Sequence, residues 1–128
     1  MSDAYRLDGK VVVVTGAAGI IGREVVRLLL EGGARVFAID RDANALQAAF
    51  GVAHDALAFF TGDVAQQASM RLALQALEER WGAPQVLLNN AAAKSGNFFE
   101  PFETFPLEDW NQVMSVNLTG AMLCAQVF

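Results

Sequence analysis

The chain has 128 residues, a length that suits one domain. Its formal charge of −5, from 9 basic and 14 acidic residues, argues against nucleic acid or an anionic membrane surface as a partner. Hydrophobic residues make up 54% and charged residues only 18%, so a core can be buried and disorder is excluded.

The first ten residues, MSDAYRLDGK, carry charges ahead of any apolar run, unlike a secretory leader. Residues 11–14 are four valines in a row, as expected of a strand buried on both faces of a parallel sheet. From about residue 19 to 31, Ile21, Val25, Leu28 and Leu29 fall at helical spacing, and Gly32-Gly33 ends the helix. A second strand is expected over 35–39, a short helix over 43–50 and a third strand over 57–60. Residues 64–81 read as a long helix with Met70, Leu72, Leu74 and Leu77 partly on one stripe, broken by Gly82-Ala83-Pro84. Residues 86–88 are a fourth strand; a loop follows to about Pro106, and 107–128 read as helix. Strands alternating with helices make βαβ units with right-handed crossovers, so the expected fold is α/β, a doubly wound, Rossmann-like parallel sheet in one domain over 1–128. The fourth strand is uniformly apolar with no fifth to pair with, and the last helix carries no stop signal. The expectation is a sheet truncated after its fourth strand and the helix that follows. No apolar run approaches the ~20 residues a membrane span needs. The lone cysteine, Cys124, allows no internal disulfide and points to a reducing, cytoplasmic setting.

The first strand runs into Thr15-Gly16-Ala17-Ala18-Gly19-Ile20-Ile21-Gly22 where a helix opens. Glycines there let the backbone turn sharply and let a pyrophosphate approach the helix N-terminus, whose free N–H groups and dipole favour an anion. An ordinary tight turn is the other reading of the same residues. Asp40 ends the second strand 18 residues beyond Gly22, close to the ~20 expected of a ribose-binding acid. A carboxylate at that point accepts from both ribose hydroxyls and repels a 2′-phosphate, which favours NAD over NADP. Residues 15–22 contain no base to hold such a phosphate, although Arg23 and Arg41 stand close by. The alternative for Asp40 is a cap on the next helix.

Taken with Asp63-Val64, Asn89-Asn90-Ala91-Ala92 and Asn117 in VNLTG, the turn resembles the short-chain dehydrogenase/reductase family over nearly the whole chain. The resemblance implies that Gly16, Ala18, Gly19, Ile21 and Gly22 line the pyrophosphate turn and that Asp40, with Arg41 beside it, holds the adenosine ribose. It further implies that Asp63 and Val64 flank the adenine, that Asn90, Ala91 and Ala92 pass beneath the cofactor, and that Asn89 helps tie the sheet together. Asn117 matches the helix asparagine that supports a proton relay through water. A small-molecule carbonyl or alcohol would be the substrate of the full-length form. The helix over 107–128 matches one that packs in symmetric dimers, so a homo-oligomer is expected.

The chain also departs from the family. Its TGxxGxxG spacing is similar to the longer, sugar-nucleotide-modifying branch, whereas Asn89-Asn90-Ala91 and VNLTG are similar to the single-domain branch. The family's chemistry uses a serine and a Tyr-x-x-x-Lys pair, whose lysine lowers the tyrosine pKa. The only tyrosine here is Tyr5, with Gly9 where that lysine would stand, so of the catalytic set Asn117 alone is present. Two functions of different class follow: the cofactor-binding half of an oxidoreductase, or a dinucleotide-binding or interaction module without chemistry of its own. S-adenosylmethionine on the same turn is disfavoured by Asn89-Asn90-Ala91 and VNLTG. His54 reads as an exposed loop residue, Cys124 as a small core or interface residue, and Trp81 and Trp110 as packing residues at a helix end and a helix start.

Overall fold

The computed structural model describes residues 3–128. Four strands, β1 (Val11–Thr15), β2 (Arg35–Asp40), β3 (Leu57–Thr61) and β4 (Val86–Leu88), form one parallel sheet in the order β3-β2-β1-β4. The register sets Val13 of β1 opposite Phe37 of β2 and Leu87 of β4. The chain winds outward from β1 to β3, then crosses back to place β4 on the other side of β1. That reversal between β1 and β4 is the switch point at which such sheets leave a crevice.

Every residue of β1 is buried, as the valine run predicts. Alternation sends Val11 and Val13 to one face and Val12 and Val14 to the other. On the first face they meet Phe37, Ile39 and Ala58, covered by Met70, Ala73 and Leu77 of α3 (Gln67–Trp81) and by Cys124. On the second they meet Val36, Ala38 and Leu57 beneath Val26 of α1 (Ile20–Glu31) and Leu46 of α2 (Ala43–Phe50). Each of these fully buried aliphatic side chains contributes about 1.5–3 kcal/mol of burial free energy.

Five expectations need correction. The inward face of α1 is Gly22, Val25, Val26 and Leu29, while Ile21 and Leu28 face solvent, because α1 lies against the turn after β1 through the bare backbone of Gly22. On α3 it is Ala73 between Met70 and Leu77 that packs inward, and Leu72 is 60% exposed. That helix also starts at Gln67, not residue 64: Asp63 closes a turn of its own by accepting from Ala65 N at 2.9 Å. The helix predicted over 107–128 forms, but as α4 (Leu107–Met114), a π-helical turn (Ser115–Gly120) and α5 (Ala121–Val127). Trp110 on α4 is 49% exposed and so is no core residue of this chain, whereas Trp81 packs against the α3 side of the core.

His54 is exposed, as expected. Among the described residues no helix is long and apolar enough to cross a membrane, and no group of acids, histidines or cysteines could hold a metal ion.

Candidate functional site

The site grows from the end of β1. Thr15 is buried, and its hydroxyl donates to Leu88 O at 3.4 Å while accepting from Asn90 N and Ala91 N, each at 3.1 Å. One side chain thus locks the exit of β1 to the exit of β4. Gly16 follows with φ +62°, and a Cβ there would lie 2.7 Å from Ala91 Cα, so only glycine lets the two strand exits touch. The Asn90 amide seals the junction, donating to Thr15 O at 3.2 Å and Gly16 O at 3.1 Å.

The turn then enters α1 at Gly19, which caps the helix without a side-chain bond, and no acid stands in the first turn. The helix end therefore keeps bare donors and an uncompensated positive dipole. Gly22 is the close-packing glycine: a Cβ on it would lie 2.2 Å from Gly16 O and 2.8 Å from Ala17 O.

Asp40 stands at the tip of β2 beside this turn. Its Oδ2 accepts from Ala18 N at 3.1 Å and its Oδ1 from Asp42 N at 3.1 Å. The capping role falls to Asp42, whose side chain accepts from Ala45 N at the start of α2. Capping therefore does not explain Asp40, and its carboxylate keeps acceptor positions beyond these two bonds.

A groove of about 490 Å³, open mouth included, runs across these strand ends. It is lined by Gly16 after β1, Ile39, Asp40 and Arg41 at the end of β2, Gly62, Asp63 and Val64 after β3, and Ala91, Ala92 and Ala93 after β4, with Val116 from the π-helical turn. The fold thus brings Gly16, Asp40, Arg41, Asp63, Val64, Ala91 and Ala92 into one cavity.

The other predicted residues stand behind it or at its rim. Ala18 supplies the N–H that orients Asp40, Gly19 sits exposed at the helix cap, and Gly22 and Asn90 brace the turn. The Ile21 side chain is 69% exposed, so an anion at this helix end would meet its backbone N–H alone.

Asn117, on the π-helical turn, clasps Ala93: its Oδ1 accepts from Ala93 N at 2.7 Å and its Nδ2 donates to Ala93 O at 3.3 Å. Asn89 ties the β4 exit to α5 by donating to Ala121 O at 3.3 Å, rather than bridging strands of the sheet.

Thr15, Ile39, Gly62, Ala93 and Val116 are parts of the site that the sequence reading does not single out. Thr15 had a signal in its place just before Gly16; small residues that offer only backbone leave none.

Comparison with known proteins gives the family and the fold. The model of the short chain dehydrogenase family matches residues 10–128. A D-threitol dehydrogenase of Mycolicibacterium smegmatis is 37% identical over 95% of this chain and 47% of its own length. A short-chain type dehydrogenase/reductase from Mycobacterium marinum superposes with a TM-score of 0.87 at 29% identity, covering 99% of this chain and 52% of that one. A 3-ketoacyl-(acyl-carrier-protein) reductase from Brucella melitensis, solved with NADH, gives 0.84 at 28% identity, covering 94% of this chain and 49% of that one. The chain spans about half the length of the curated relatives it matches. With the family model matched across 119 of its 128 residues, from 10 to 128, this chain belongs to the short-chain dehydrogenase family.

Proposed function

We propose that the groove holds a nicotinamide dinucleotide, NAD(H) in preference to NADP(H), and that this chain is the cofactor-binding half of an oxidoreductase acting on a carbonyl or alcohol. The observation that carries this reading is the meeting of three features at the β1–β4 switch point. These are a bare glycine turn opening α1, the Asp40 carboxylate and the Asp63-Val64 turn. The residues fit such a group: the α1 end offers uncapped N–H donors to a pyrophosphate, and Asp40 offers a preoriented acceptor to ribose hydroxyls. Asp63 and Val64 would flank the adenine, with Ala91 and Ala92 forming the floor. When bound, the nicotinamide gives or takes a hydride. The chain's own part is to bind, orient and shield the dinucleotide, with Asn117 fixing Ala93 and taking its place in a proton relay.

A module that binds a dinucleotide without turnover is the second reading, and one observation favours it for these 128 residues. They contain a single tyrosine, Tyr5, and no Tyr-x-x-x-Lys, so we expect no turnover by this polypeptide alone. We assign the cytoplasm as its setting, which suits the lone, buried Cys124. We also assign a homo-oligomer, built on the face of α4 and α5.

Amide chemical-shift mapping with NADH tests the site. The reading predicts saturable shifts at Gly16, Ala18, Val64, Ala91 and Ala93. Unchanged shifts there in a folded chain would contradict it.

A further inference from the structure

We propose that Gly120 is a positioning residue for the adenosine end of the groove, acting through Val64; the inference rests on the dinucleotide reading above. Gly120 closes the π-helical turn and is buried. A Cβ built on it would lie 2.7 Å from Val64 Cγ2 and 3.3 Å from Val64 Cβ. Helix and adenine-side turn therefore meet at a distance that only a missing side chain allows.

Val64 is a partition. It lines the groove on one side, and on the other it lines a smaller hollow with Thr15, Asn117 and Gly120. Gly120 lines the hollow only. Added bulk at Gly120 pushes the Val64 side chain from the hollow toward the groove. The turn carrying Val64 cannot retreat easily, because Asp63 N donates to Ser69 Oγ at 3.1 Å and Asp63 accepts from Ala65 N and Gln66 N. Nor can Val64 swing aside cheaply, since a β-branched side chain has a stiff χ1.

The π-helical turn thus meets the groove lining at two points: Asn117 holds Ala93, and Gly120 abuts Val64.

The test is a calorimetric titration of the 128-residue chain with NADH and with adenosine monophosphate, on the wild type, Gly120→Ala, Val64→Ala and the double variant. Overpacking of this kind predicts that Gly120→Ala weakens both ligands about tenfold. Without the Val64 methyls the same Gly120→Ala change costs less than about threefold relative to Val64→Ala alone, a rescue that a general loss of stability would not give. If Gly120→Ala fails to fold while the double variant folds and binds, the contact is upheld. A folded Gly120→Ala that binds as the wild type does, or a double variant that is unfolded or not rescued, overturns the inference and leaves the dinucleotide reading standing. A folded wild-type chain that binds neither ligand overturns both.

Discussion

The carboxylate of Asp40 is held by two backbone donors, Ala18 N and Asp42 N, before any ligand arrives. Ordering a charged acceptor in advance removes an entropic cost of binding. The same chain shows the opposite treatment of an ionisable group at Cys124. That thiol is fully buried on the α3 side of the sheet, and burial pushes its pKa from 9.0 up to about 11. Because the folded pKa is the higher one, the neutral thiol's contribution to stability is complete below pH 9.0 and lost as pH rises through about 11. At pH 8 the native thiol should resist a disulfide reagent and react at once in denaturant. Equal rates in both conditions would contradict the burial of Cys124. Its role as a core residue was readable from composition alone, since a lone cysteine on an apolar helix face packs as a hydrophobe. The hub role of Thr15 was not, because three hydrogen bonds to a segment more than 70 residues away leave no local pattern.

Between elements, the decisive joint is the one that clamps β1 to β4. Asn90 supplies two side-chain donors to the turn, and its loss leaves Thr15 O and Gly16 O short of partners. Asn90→Ala should therefore cost about 1–3 kcal/mol of stability. Chemical denaturation should show a lower midpoint with an unchanged slope. An unchanged midpoint would mean that water replaces the amide without loss. Strands and helices were readable because the valine run of β1 and the glycine stops after α1 and α3 act locally. Two features escaped. The turn before α3 hid inside a helical pattern because Asp63 satisfies the backbone there with its own side chain. The π-helical turn hid because one extra residue shifts the apolar face without breaking it.

For the whole molecule, the last helical segment carries a run of exposed apolar side chains. Leu107 and Trp110 on α4, Leu118 on the π-helical turn and Met122 on α5 are each about half exposed or more. The β4 edge pairs only with β1. Exposed apolar side chains grouped on one helical segment favour association. Light scattering at micromolar concentration should report dimers or larger species, and a monodisperse monomer would contradict the proposed homo-oligomer. The position of the groove follows from the strand order, which the βαβ alternation already implied, whereas its lining is joined by long-range contacts with no local pattern: Gly16 against the Ala91 backbone, Asn117 against the Ala93 backbone and Gly120 against the Val64 side chain.

The central claim is that this groove binds a nicotinamide dinucleotide and that Asp40 chooses which one. The measurement that tests it most directly is a pair of calorimetric titrations of the purified chain, with NADH and with NADPH. Saturable binding of NADH at least about tenfold tighter than NADPH is the predicted result, since a 2′-phosphate would face the Asp40 carboxylate. Tighter binding of NADPH would show that Arg41 or Arg23 overrides Asp40, and binding of neither by a folded chain would contradict the account.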